Sequence, residues 1–318
     1  MACSDIIVIC GPTASGKTAL AVEVAKRLNG EIVSADSMQI YKEMNIGTAK
    51  PNAAEQCGIA HYMLDVVSVT EEYNVSRYVN NASDCIEKIK NKGKKAILAG
   101  GTGLYIDSLV NNINFFKIEN DYEYREYLKK CALEKGNVYV HDMLYKIDRN
   151  AAQRLHPNDL KRVIRALEVY KTTGKTISEI QYESIRKRRY NPVFIGLDYK
   201  DRSVLYRRIE KRVEDMIENG LLEEARGLLK YNLSATARAA IGYREMFDYI
   251  HGEISFENAV SDICKKTRNY AKRQLTWFRK NREINWLYPD QCDENLSLLA
   301  DSACRIINSK EDKRENKV

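Results

Sequence analysis

The sequence predicts an α/β fold: a parallel sheet with functional groups at the carboxyl ends of its strands, interrupted by a mostly helical segment. Three observations carry this expectation. A short apolar run followed at once by glycine and a helical pattern occurs at 5–10 and again at 95–99. Near Lys117 the texture changes, and charged segments of helical period replace apolar strands as far as Arg189. A strand pattern then returns at 192–199 (PVFIGLDY), as though a sheet resumed after an insertion.

Taken in order, DIIVIC (5–10) is β-branched, apolar and bounded by polar residues, which reads as a buried strand. Lys17 to Leu28 puts Leu20, Ala21, Val24, Ala25 and Leu28 on one helical face and stops at Asn29-Gly30. Glu31 to Ala35 is a second strand and Val75 to Lys92 a helix. Lys95 to Ala99 is a further strand, ending in Gly100-Gly101-Thr102-Gly103, where another helix opens. In the charged stretch Glu119 to Glu134, Val138 to Ile147 and Leu160 to Lys171 are expected helices, the last capped by the turn His156-Pro157-Asn158-Asp159 and stopped by Gly174. Beyond the returning strand, helices are expected at Leu205 to Asn219, Leu222 to Lys230 and Phe256 to Lys265, followed by a long basic helix through Asn281. The expected organisation is a first part of the core (1–117), a helical insertion (118–190), the remainder of the core with basic helices (191–300) and a charged, partly disordered tail (301–318).

With 318 residues, 44% of them apolar, the chain can bury a sizeable core. A net charge of +7 suggests a phosphate-bearing partner without identifying one. The eight cysteines form no C-x-x-C pair and have no spaced histidine pair beside them, which argues against a zinc site or a disulfide framework and for a reducing cytosol. No secretory leader and no membrane span is indicated.

Gly11-Pro12-Thr13-Ala14-Ser15-Gly16-Lys17-Thr18 matches G-x-x-x-x-G-K-[ST] between a strand and a helix, the context that a P-loop requires. Its amides and the helix N-terminus face an anion, Lys17 adds a point charge, and Thr18 can ligate magnesium. The motif is a common mark of ATP binding, yet two phosphates fill such a loop as well as three. The strand at 95–99 ends in Gly-Gly-Thr rather than an aspartate, which weakens an ATPase reading.

Asp36, just past the second strand, is placed either to accept a proton from a nucleophile or to cap a helix or support magnesium from outside its inner sphere. Thr102, among three glycines, either meets a substrate threaded past the backbone or caps a tight turn. Basic residues gather at Lys161, Arg162 and Arg165, at Arg186 to Arg189, and between Lys265 and Arg282, where Tyr270, Trp277 and Phe278 interleave. Such runs neutralise nucleic-acid phosphates or form solvated helix faces.

Seven strings, GPTASGKT, SADSMQIYKEMNIGTAKP, HYMLDV, AGGTGLY, LHPNDLKRVIRALEVY, IGYREM and TRNYAKRQLTWFR, closely resemble in this order the bacterial tRNA dimethylallyltransferases, from about residue 6 to 288. The resemblance implies a P-loop NTPase-like core with a helical insertion that grips the anticodon stem-loop, and a channel entered from opposite ends by dimethylallyl diphosphate and a flipped adenine. It implies transfer to the exocyclic amine of the adenosine 3′ to the anticodon, in tRNAs reading codons that begin with U, with Mg²⁺ as cofactor. It also implies a cytoplasmic monomer.

By the same resemblance Asp36 is the general base and Thr102 a contact to the reactive adenine. Ser37, Met38 and Gln39 line the tRNA-facing segment, and Lys161, Arg162, Val163, Ile164 and Arg165 contact tRNA. So do Ala240, Ile241, Gly242, Tyr243, Arg244 and Glu245, while Arg125 aligns with a basic contact in the insertion. Arg212 reaches the donor diphosphate held by residues 11–18. Ala239 stands where many relatives carry a polar or basic residue, which puts one tRNA contact in doubt, and the zinc-finger extension of eukaryotic relatives is absent. The rivals are a small-metabolite kinase, an adenylate isopentenyltransferase acting on free AMP, and a non-catalytic RNA-binding P-loop protein.

Overall fold

A computed structural model describes residues 4–113, 121–183 and 188–315. Its sheet contains β1 (Ser4–Cys10), β2 (Gly30–Ser34), β3 (His61–Tyr62), β4 (Lys95–Gly100), β5 (Tyr190–Leu197) and β6 (Asn285–Leu287), in the order β3-β2-β4-β1-β5-β6. Every pairing is parallel. The four central strands are mostly buried on both faces, so their side chains alternate between two cores rather than between core and water. From β1, Ile6, Val8 and Cys10 enter one core and Ile7 and Ile9 the other. The second core is closed by helices Lys17–Leu28 and Leu296–Glu315.

Register fixes where function can sit. Cys10 pairs with both Gly100 and Gly196, and Ser34 pairs with Ala99. The turns leaving β1, β2, β4 and β5 therefore emerge side by side at one edge of the sheet, the edge at which open α/β sheets bind ligands.

The chain divides into two compact units, 1–110 with 188–318, and 111–187. The second unit has its own core of Leu128, Val140, Leu144, Val163 and Leu167, supplied by helices Tyr122–Lys135, Asn137–Ile147 and Leu160–Thr173. The beginning of the helix expected from Glu119, and Arg186 and Lys187 of the second basic run, lie outside the described residues.

Helix Lys17–Leu28 has the expected bounds, and most other expected elements differ by a few residues at their ends. Two expectations are corrected, and two strands were not foreseen. The helix expected to end at Lys265 and the basic helix after it are one 23-residue helix, Phe256–Phe278, because no residue in between breaks the pattern of Ala259, Ile263, Ala271 and Leu275 packing inward. The expected charged tail is helical through Glu315, where Leu299, Ala300, Ala303 and Ile307 dock on helix Lys17–Leu28. The edge strands β3 and β6, of two and three residues, carry too little pattern to be read from sequence.

Candidate active site

The P-loop is built from strained backbone. Gly11 (φ 148°) and Gly16 (φ 87°) occupy conformations that side chains disfavour, and a Cβ on Gly11 would lie 2.6 Å from the Leu197 carbonyl oxygen. Ala14 shares the left-handed region at φ 61°. Lys17 Nζ donates to Pro12 O at 2.5 Å, which folds the ammonium back over the loop. Burial, and then the Arg212 guanidinium, pull Lys17 down to about 8, against the pull of Asp36 in the other direction. Ser15 Oγ is buried without a hydrogen-bond partner among the described residues, a donor left free inside the loop.

Asp36 follows β2 and is half-buried. Its Oδ1 accepts from the amides of Met38 (2.9 Å) and Gln39 (3.4 Å), an Asx turn. Thr102 begins the turn after β4: its amide donates to Ala35 O, and its Oγ1 accepts from Ser37 N at 3.1 Å. Ser37 and Thr102 are thus hydrogen-bonded across the corner where β2 and β4 leave the sheet, with Asp36 next to Ser37 in the chain. Burial and then Asp36 raise the Tyr270 phenol to about 12, against the smaller pull of Thr102 and Gln274 in the other direction.

Two cavities meet at this corner. The smaller, about 60 Å³, is lined by Thr13, Lys17, Thr18, Asp36, Gly101 and Arg212 among others, and is polar. The larger, about 290 Å³, has an apolar wall of Val213, Met216, Ile241 and Ile263. Thr13, Asp36 and Arg212 belong to both. Arg212 comes from helix Arg202–Glu218, is lowered by burial, and donates to Thr48 O at 3.3 Å.

Sequence reasoning missed Gln274. Its Oε1 accepts from Thr13 N at 2.8 Å and its Nε2 donates to Gly101 O at 2.9 Å, tying the P-loop to the turn after β4. The available signal is the spacing of Thr267, Tyr270, Gln274 and Trp277 along one helical face, masked by the basic residues between them.

The expected tRNA contacts divide by burial. Lys161, Arg162, Ala239 and Arg244 are exposed. Val163 and Ile164 are core residues of the second unit, and Tyr243 and Glu245 are buried in the first. Glu245 accepts from Gly242 N and pairs with Lys266, so it caps helix Tyr243–Ile250. Arg125 and Arg165 both bind the fully buried Glu168, at 2.7 and 2.5 Å, because an uncompensated carboxylate there would be costly. In the basic C-terminal helix, Arg268 pairs with Glu210, and just past it Arg279 pairs with Asp198. Part of each basic run therefore balances internal charge.

Residues 39–281 match the family described as IPP transferase. The tRNA dimethylallyltransferase of Caldanaerobacter subterraneus subsp. tengcongensis is 51% identical over 290 residues, 90% of this chain and 92% of that protein. That of Acetivibrio thermocellus is 49% identical over 298 residues, 93% and 95% of the two chains. The solved full-length tRNA isopentenylpyrophosphate transferase of Bacillus halodurans superposes with a TM-score of 0.72 at 38% identity, covering 98% of this chain and 99% of its own. A eukaryotic dimethylallyltransferase acting on tRNA superposes with a TM-score of 0.79 at 30% identity, covering 96% of this chain and 80% of its own. Identity and coverage at these levels make the chain a member of the IPP transferase family, among the tRNA dimethylallyltransferases.

Proposed function

We propose that the chain transfers the dimethylallyl group of dimethylallyl diphosphate to the exocyclic N6 of the adenosine 3′-adjacent to the anticodon, position 37, in tRNAs reading codons that begin with U. The observation that carries the reading is the sharing of Thr13, Asp36 and Arg212 by an anion pocket and an apolar cavity. Diphosphate belongs against the P-loop, Lys17 and Arg212. The reacting carbon and the amine belong where the two cavities join.

Adenine's N6 is a weak nucleophile, since its lone pair is delocalised into the ring. The leaving group must therefore do most of the work. As the allylic C–O bond breaks, its electron pair stays on diphosphate, where Lys17, Arg212 and the loop amides stabilise it. The nitrogen lone pair forms the C–N bond, and Asp36 takes the proton released from nitrogen. The base has to leave its stack to enter such a corner.

Thr18, Asp36 and Gln39 offer hard oxygen atoms to the anion pocket, and no cluster of three or more metal-binding side chains occurs among the described residues. That set suits magnesium held largely by the substrate's own phosphates, with Thr18 as its protein ligand. When bound, magnesium neutralises charge on the departing diphosphate. Lys161, Arg162 and Arg244 are the exposed cations we assign to tRNA.

Labelled dimethylallyl diphosphate, magnesium and an unmodified anticodon stem-loop should yield labelled RNA and free diphosphate. Asp36→Ala should slow turnover about 10²- to 10⁴-fold with the stem-loop Kd unchanged. Hydrolysis of nucleoside triphosphates with the donor left intact would overturn the reading, and preference for AMP over the stem-loop would overturn the acceptor.

A further inference from the structure

The string KEMNIGTAK (42–50) forms a loop beside the active site, and its shape depends on one distant carboxylate. Glu224, on helix Leu221–Leu228, accepts from three consecutive amides: Asn45 N at 3.0 Å, Ile46 N at 2.9 and 3.0 Å, and Gly47 N at 3.2 Å. Tyr243 completes the clamp, its hydroxyl donating to Glu224 Oε1 at 2.5 Å and lying 3.1 Å from Gly47 N. Its ring covers Gly47 so closely that a Cβ there would sit 2.6 Å from two ring carbons.

The residues that the clamp immobilises come next in the chain. Thr48 O accepts from Arg212 Nη2 at 3.3 Å and from Gln39 Nε2 at 3.3 Å, and Ala49 O accepts from Gln39 Nε2 at 3.1 Å. Gly47 and Thr48 also line the larger cavity, and Ala49 the anion pocket. A guanidinium on a long side chain has many rotamers, and holding one of them needs a fixed acceptor.

We propose that Glu224 is a positioning residue for prenyl transfer: by gripping the amides of Asn45, Ile46 and Gly47 it fixes the Thr48 carbonyl, which in turn aims Arg212 at the donor's diphosphate. The inference rests on the reading that Arg212 meets that diphosphate. Glu224 itself touches neither substrate. Tyr243, expected from resemblance to contact tRNA, is the second half of the clamp.

The test is a set of single and paired variants assayed with dimethylallyl diphosphate and the anticodon stem-loop. Glu224→Gln keeps one carbonyl oxygen but loses the charge and two-oxygen grip, and should raise the donor KM about tenfold with the stem-loop Kd unchanged. Tyr243→Phe leaves the amide bonds to Glu224 but removes the hydroxyl that donates to Glu224 and accepts from Gly47 N, and should raise the donor KM about threefold. Because Glu224 acts through Arg212, adding Glu224→Gln to Arg212→Ala should cost almost nothing further in donor KM. A general structural defect would multiply the two losses instead, and that outcome overturns the inference. So does an unchanged donor KM in Tyr243→Phe, which holds even where a Glu224 variant fails to fold. If Arg212→Ala itself leaves donor KM and kcat intact, the donor-site reading fails, whereas a large Arg212 effect with an inert clamp removes only this inference.

Discussion

Two glycine turns leave the same edge of the sheet, and they use glycine for different reasons. In the P-loop, conformation comes first: Gly11 and Gly16 have φ of 148° and 87°, which opens the backbone toward an anion, and at Gly16 a Cβ would meet nothing closer than 3.9 Å, although at Gly11 it would also strike the Leu197 carbonyl oxygen. In the turn Gly100–Gly103 no glycine has positive φ. There volume decides, since a Cβ would strike the Ala35 backbone at Gly100, Gln274 at Gly101 and Trp277 at Gly103. The first turn is shaped by what it binds, and the second by what packs on it.

That contrast can be broken from the P-loop side first, where the largest effect is expected. Lys17→Ala removes a charge that the second turn has no counterpart for, and should lower kcat about 10²- to 10³-fold in steady-state assays. Stem-loop affinity should stay within about twofold by titration, since the lysine lies in the anion pocket. Gly100→Ala is next. There the obstacle is backbone, which cannot rotate away, so we expect a loss of about 1–3 kcal/mol in unfolding free energy, measured by urea titration.

The contrast also explains what could be read in the sequence. The P-loop was legible in full, because its reasons are local: glycines for φ, a lysine and a threonine at fixed offsets, a strand before and a helix after. Asp36 and Thr102 were legible as positions, since each follows a recognisable strand, but their junction through Ser37 depends on β2 pairing with β4, a register no short window contains. Gln274 was illegible for the same reason at greater range, lying 261 residues from its partner Thr13. Arg125 and Arg165 read as surface charge because the buried Glu168 that claims them looks like any other helix glutamate in sequence.

The second turn can be tested by moving its neighbour. Gly101→Ala pushes on the end of the Gln274 side chain, which is flexible but held at both ends. It should therefore raise the donor KM about tenfold by disturbing Thr13 in the P-loop. Gln274→Ala removes the obstacle, so the pair Gly101→Ala with Gln274→Ala should be less impaired than the product of the two single losses. Strict multiplication would mean that the turn needs glycine for its backbone after all, and the contrast would disappear.

The smallest effect is a titration. Lys17 is held at about 8 by burial and by Arg212. Only the protonated amine attracts diphosphate, so its contribution is complete well below pH 8 and is lost as pH rises through that value. From pH 8 to 9 the protonated fraction falls about fivefold, and diphosphate affinity measured by calorimetry should fall by the same factor in the free enzyme. A bound polyanion raises the lysine in turn, so turnover at saturating donor should hold to higher pH than donor affinity does. Lys17→Arg keeps its charge across this range and should flatten the affinity profile, even if its larger head weakens binding throughout. A drop that persists in Lys17→Arg would assign the titration to another group and leave the P-loop's advantage to its amides alone.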